Sequence, residues 1–182
     1  SLRLQAHAGE RQVLQYLSVP VSAQANPLSG GGVVDLDSDF SGVDLRWSLS
    51  TQALGRPLQW VLGVDADRQR QHRLGFENFV GSELGVRGAL RRDQIDRVGN
   101  SDLYLQGEWS LSDATELMAG VRHSRVHFES DDRYIRAGNP DDSGEVRYSA
   151  TTPVLGLSHR LGPAWPSQDP VPARCKIQCA QP

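Results

Sequence analysis

The sequence lacks any run of roughly 18 or more apolar residues, which excludes a transmembrane helix. It also lacks a charged segment followed by an apolar one at its start, so no secretory leader is visible. Cysteine is scarce. Cys175 and Cys179 are the only two, both lie near the C-terminal end, and no histidine cluster joins them, so a local disulfide is open to them and a zinc site is not expected. Basic excess is missing as well: with a net charge of −3 and no basic stripe interleaved with aromatics, the electrostatic footprint of a nucleic-acid binder is absent. Apolar residues make up 38% of the chain, low for a globular core but ordinary for barrel strands with one polar face. Sustained helical periodicity is not found, because the 18 glycines are spread throughout and prolines such as Pro140, Pro153 and Pro163 interrupt the C-terminal half.

Catalytic and cofactor motifs are also wanting. Ser101, in Gly99-Asn100-Ser101-Asp102-Leu103, has no closing glycine for a nucleophile elbow, and the histidines at 7, 72, 123, 127 and 159 are dispersed, so no enzyme is expected. Asp35, Asp37 and Asp39 are spaced as in a calcium loop, but Phe40 replaces its glycine and Arg46 its closing glutamate. Gly30 to Gly32 lack a following Lys-Ser/Thr pair. In the acidic stretch around Asp131, Asp132, Asn139, Asp141 and Asp142, turn chemistry outweighs cation binding. Neither a metal nor another cofactor is expected.

What the chain does have is period-two alternation. Residues two apart on a strand share a face. Val43, Leu45, Trp47 and Leu49 alternate with Asp44, Arg46 and Ser48; Leu58, Trp60, Leu62, Val64 and Ala66 with Gln59, Gly63 and Asp65; Leu103, Leu105, Trp109 and Leu111 with Tyr104, Gln106 and Glu108. The expected strands are 2–8, 12–17, 41–50, 58–67, 101–111, 115–128 and 146–161. A tight turn is expected at Gly9, Glu10 and Arg11, a long loop over 18–40, a short link over 51–57, a long loop over 68–100, a tight turn at 112–114, a loop over 129–145 and a turn from Gly162. Long and short connectors alternate, as they do between the two ends of an outer-membrane barrel. The fold expected is therefore all-β, an antiparallel up-and-down meander of about seven strands forming part of a transmembrane β-barrel wall. Strands of roughly 9 to 11 residues suffice to cross.

Trp47, Trp60, Trp109 and Trp165 all stand near short connectors, where a girdle at the membrane interface is expected; ordinary core aromatics are the plainer account. Arg87, Arg91, Arg92 and Arg97 in one long loop, with Arg133, Tyr134 and Arg136 in another, form candidates for a cationic, partly aromatic mouth that would take an anionic chelate. The same arginines are equally accounted for as solvated charges paired with Asp93, Asp96, Asp131 and Asp132.

The stretch Gly107-Glu108-Trp109-Ser110-Leu111-Ser112, leading into Ala119-Gly120-Val121-Arg122, resembles a hairpin of TonB-dependent outer-membrane receptors. Phe128 to Tyr134, Asn139 to Gly144 and Tyr148 to Leu157 are similar to a loop and returning strand of the siderophore-receptor-like members, as are Gly75 to Phe79 and Leu90 to Asp93. The likeness covers about residues 1–165. It implies a Gram-negative outer-membrane location, lipid around the wall, uptake of a ferric siderophore or similar scarce nutrient, and energy relayed through the TonB complex. The family's plug domain and TonB box are not visible, and its barrel has on the order of 22 strands. The expectation is a barrel fragment, 1–165, followed by an irregular Pro-rich tail over 166–182, read as frame-changed or unrelated. Such a fragment would not function alone, because each unpaired backbone group at an open edge costs several kcal/mol in hydrocarbon. The rival expectation is a soluble β-sandwich acting as a binding module, which alternating strands also suit.

Overall fold

A computed structural model describes residues 1–160 and, for the backbone, 174–179. Six long strands form a continuous antiparallel meander: β1 (Leu2–Tyr16), β2 (Val33–Ala53), β3 (Arg56–Phe76), β6 (Leu90–Ser110), β7 (Thr115–Asp132) and β8 (Gly144–Arg160). A two-residue pair, β4 (Phe79–Val80) and β5 (Glu83–Leu84), decorates the connector between β3 and β6. A short helix, α1 (Val21–Gln24), lies in the connector between β1 and β2. The sheet is completed by β9 (Arg174–Cys179), antiparallel to β8.

The expected connector rhythm is present. At one end β2 and β3 are joined by Leu54 and Gly55 alone, with φ of 53° and 72°. Two successive positive φ values make the type I′ turn, whose twist matches that of the strands it joins. Residues 111–114 form the other tight turn. At the opposite end the connectors span 17–32, 77–89 and 133–143.

The register gathers the apolar residues on one face. Leu2, Trp47, Leu62, Leu105, Val121 and Pro153 share one rung; Leu4, Leu45, Val64 and Leu103 share the next. Toward the tight turns, Leu49, Trp60, Gly107, Ala119 and Leu155 follow. Opposite Trp60, Gly107 leaves room for the indole, whose carbons lie 3.0 to 3.4 Å from where a Cβ would stand. The other face is polar: Gln5, Asp44, Asp65, Asp102 and Ser124 occupy one rung.

No second layer covers either face of this sheet among the described residues, and only Val33 and Ile95 are buried apolar side chains there. The sandwich expectation is thereby overturned, since that architecture needs two sheets packed on a shared core. The large apolar side chains stand open instead, Trp47 at 49% and Leu105 at 42% exposure.

Several expected boundaries are corrected. Gly9 to Arg11 do not turn; β1 runs through them, and the Phe40 ring lies across Gly9 from β2. The long loops are shorter than expected because the strands continue past the apolar band: β2, β3 and β6 each have 21 residues, spanning about 70 Å at ~3.3 Å each. Alternation fades where both faces are polar, yet the ladder of backbone hydrogen bonds goes on. Within the tail expected to be irregular, the Pro-free hexad Arg174–Cys179 is a strand. It alternates polar and apolar residues and adds to the open edge of β8. Trp165 and the turn expected from Gly162 lie outside the described residues.

Candidate functional site

The loop end of the sheet holds the candidate site. Its foundation is a β-bulge: Gly75 pairs with Arg92 and Phe76 with Leu90, so Arg91 is the extra residue on β6. A bulge re-aims its side chain. Here the Arg91 guanidinium reaches the carbonyls of Asn26 at 2.6 Å and Ser29 at 3.4 Å, and Glu77 at 3.4 Å. Its side chain is 16% exposed. Arg91 is therefore a staple that ties the first long loop to β6 rather than a free cation. Arg91→Gln should release residues 26–29, about 1.5–3 kcal/mol for charged hydrogen bonds; hydrogen exchange there should rise while β3 stays protected.

The rest of that loop is fixed by polar contacts. Gln24, buried to 1% exposure, donates from Nε2 to the Asn78 Oδ1 at 2.7 Å and to the Val19 carbonyl at 2.9 Å. Asn78 Nδ2 donates to the Leu17 carbonyl at 2.9 Å. The Gly32 amide donates to the Phe76 carbonyl at 2.8 Å. At Gly75 the absence of a side chain admits the Gly30 carbonyl oxygen, which would lie 2.2 Å from a Cβ.

Beneath this loop is a cavity of about 180 Å³ lined by Leu28, Arg91, Arg92, Gln94, Ser130, Asp132, Tyr134, Asn139 and Asp142. By register, Arg92 and Gln94 of β6 and Ser130 and Asp132 of β7 project on the polar face of the sheet. Three of the expected site residues, Arg91, Arg92 and Tyr134, thus meet at one place. Unlike Arg91, Arg92 has no carboxylate within ion-pair distance among the described residues.

The other candidates are placed elsewhere or engaged. Arg97 pairs with Glu129 at 2.9 Å on the apolar-face side of the ladder. Arg133 pairs with Asp131 at 3.1 Å. Arg136 stacks 4.9 Å from the Tyr134 ring and donates to the Ile135 carbonyl. Arg87 pairs with Asp35 at 2.9 Å and lies 3.7 Å over the Phe76 ring.

The acidic loop is occupied by turn chemistry. Asp132 accepts from the Tyr134 amide at 2.9 Å, Asp141 accepts from the Ser143 amide at 2.9 Å, and Asn139 Nδ2 donates to the Tyr134 carbonyl at 2.6 Å. Hydrogen bonds from the Ser143 side chain and backbone hold the Asp141 carboxyl below its ordinary value. Gln94, Ser130 and Leu28 were not foreseen as lining residues. Parity with Arg92 along β6 was the available signal for Gln94.

On the apolar face, Trp47, Trp60 and Trp109 all project together, one on each of three neighbouring strands. Each stands two residues nearer the tight turns than the one before, since Trp47 is opposite Leu62 and Trp60 opposite Gly107. The loop-side limit of the apolar band falls in the same sense. Val43 and Ala66 share a rung with Ser101 and Arg125, whereas the band ends one rung lower on β6, at Leu103, and two rungs lower on β7, at Val121. A fall of four residues over three strand steps corresponds to a lean of about 40°, taking ~3.3 Å per residue and ~4.8 Å between strands. Strands of membrane barrels tilt by roughly that much.

Comparison with solved structures finds the same wall. A crystal structure of the ferric citrate transporter FecA in its unliganded form superimposes with a TM-score of 0.72 over 88% of this chain, at 14% sequence identity. The chain spans 22% of the length of that transporter. The family model described as TonB dependent receptor-like, beta-barrel matches residues 5–168. With most of its length matched to that model and its fold matched to that wall, the chain belongs to the TonB-dependent receptor-like β-barrel family.

Proposed function

We propose that this chain is a segment of the wall of an outer-membrane receptor in a Gram-negative cell, one that takes up a ferric siderophore or a similar anionic chelate with energy relayed through the TonB complex. The observation that carries the reading is the one-sided apolar band: it is continuous across six strands, nine residues deep on β3 (Leu58–Ala66) as a crossing strand requires, and faces nothing among the described residues. Lipid is the partner that such a face fits. The polar face then looks into the lumen, and the cavity around Arg92 sits at the lumenal mouth, under the first long loop. Trp47, Trp60 and Trp109 would mark the headgroup level at the tight-turn side, where indoles are favoured. The seven strands of this sheet among the described residues leave two edges, so the transport activity is assigned to the whole barrel rather than to this stretch by itself.

Arg92 supplies the recognition. A guanidinium fork suits a carboxylate or hydroxamate-type oxygen pair, and Tyr134 with Asn139 offers further polar contacts. The test is uptake of iron-55 presented on a panel of citrate, catecholate and hydroxamate chelators by iron-starved cells, with and without the gene that encodes the chain. Loss of uptake of at least one chelate is expected, and undiminished uptake of every one would defeat the proposal. For the chelate identified, Arg92→Gln should weaken binding about tenfold or more, the worth of a charged hydrogen bond, whereas Arg136→Gln should leave it nearly unchanged.

A further inference from the structure

Directly beyond the apolar band on the loop side, the same face carries a layer of cations. Arg68 on β3 stands opposite Gly99 on β6, and Arg125 on β7 stands opposite Ser101 on β6, so the two residues flank β6 at two of its smallest positions. A Cβ at Gly99 would meet nothing within 4 Å, which leaves a recess between them. Neither arginine has a carboxylate within ion-pair distance among the described residues: Arg68 Nε donates to Ser41 Oγ at 3.0 Å and Arg125 Nε to His123 Nε2 at 3.2 Å. The nearest carboxylates of this face, Glu10, Asp39, Glu129 and Glu145, share one rung on the loop side of the layer, and three of them are engaged. Asp39 faces Arg70 at 4.0 Å, Glu129 holds Arg97 at 2.9 Å and Glu145 holds Arg147 at 2.5 Å. Arg70, Arg97 and Arg147, farther toward the loops, thus each face a carboxylate, whereas Arg68 and Arg125, the pair bordering the apolar band, have none among the described residues.

We propose that Arg68 and Arg125, across Gly99 and Ser101, bind the phosphate of an outer-leaflet lipid whose acyl chains lie along Leu103, Leu105 and Val121. The inference rests on the lipid-facing reading of the apolar band and adds a specific occupant to it. Charge and position select that occupant together. Guanidinium forks take phosphate oxygens in pairs, and unpaired cations at the edge of a hydrocarbon-facing band stand at headgroup level, where anionic lipids are held. A soluble anion would gain nothing from the apolar surface below and would approach through the carboxylates above.

The test uses the receptor barrel that contains this chain, purified from outer membranes in a neutral detergent, stripped of lipid and then offered phosphatidic acid or diacylglycerol, with retained lipid counted by native mass spectrometry. The double variant Arg68→Gln/Arg125→Gln should retain about tenfold less phosphatidic acid, as expected for lost charged hydrogen bonds, with diacylglycerol retention unchanged. Arg68→Lys/Arg125→Lys keeps the charge and should retain binding, and Arg11→Gln, on the polar face, should change neither lipid. Equal phosphatidic acid retention by the double glutamine variant and the parent would overturn the proposal. So would displacement of the lipid by an equal concentration of inorganic phosphate, which would mark a site for soluble anions. A label at Leu105 found in water would overturn the underlying lipid-facing reading, a different result from either.

Discussion

Replacing Leu105 with arginine is expected to destabilise the folded barrel in lipid vesicles by about 2–4 kcal/mol, the cost of a lipid-facing cation near the bilayer midplane. Leu105 occupies the rung shared by Trp47, Leu62 and Val121, with apolar rungs on both sides. The size of the effect separates lipid from water. At 42% exposure, with no packed partner layer among the described residues, the same substitution on a wetted surface would fall within about 0.5 kcal/mol of neutral. Gln106→Arg is the control, because its side chain lies on the polar face, where a cation keeps its water. Urea unfolding of the two variants in phospholipid vesicles, followed by tryptophan fluorescence, gives the comparison.

Gly75→Val should dismantle the mouth without disturbing the wall. Its Cβ would stand 2.2 Å from the Gly30 carbonyl oxygen, and the obstacle is backbone, so no side chain can swing aside. The loop over 17–32 must lift. Lifting it sacrifices the Gly32 amide bond to Phe76, the Gln24 bond to Asn78 and the Arg91 bond to Asn26. At about 1 kcal/mol for each of these hydrogen bonds, amide protection in that loop should fall about 100-fold. Hydrogen exchange followed by mass spectrometry would show it, with β6 and β7 still protected. Gly144→Val, where a Cβ meets nothing within 4 Å, should leave both loop and wall as they were.

The wall was legible because its signal is written by the solvent. Hydrocarbon on one side and water on the other force every second residue to be apolar, so the alternation of Val43 to Leu49 and of Leu58 to Ala66 placed the central strands and their faces directly. Legibility ended where the hydrocarbon does. Beyond Ala66 on β3 both faces are polar, Arg68, Arg70 and His72 alternate with Asp67, Gln69 and Gln71, and nothing in the pattern marks that the ladder continues to Phe76. The same limit explains Gly9: a glycine between polar residues reads as a turn, and only the register to β2 reveals that Phe40 covers it. In the site, residue type pointed to Arg91, Arg92 and Tyr134, but not to their different roles. Those depend on the bulge at Arg91 and on the loop carbonyls that meet it, long-range facts with no local signature. The layer of arginines above the band was hidden for a similar reason, since Arg68 and Arg125 become neighbours only through β6.

The central claim is that the face carrying Leu103, Leu105 and Trp109 meets lipid while the face carrying Tyr104, Gln106 and Glu108 looks into the lumen. Single nitroxide labels placed in turn at residues 101 through 110, in the membrane-embedded barrel with Cys175 and Cys179 changed to serine, test it most directly. Relaxation by oxygen, which concentrates in hydrocarbon, and by a water-soluble nickel chelate should alternate with a period of two residues and in opposite phase, oxygen prevailing at 103, 105 and 109. Relaxation by the nickel chelate at 103 and 105 equal to that at 104 and 106 would contradict it.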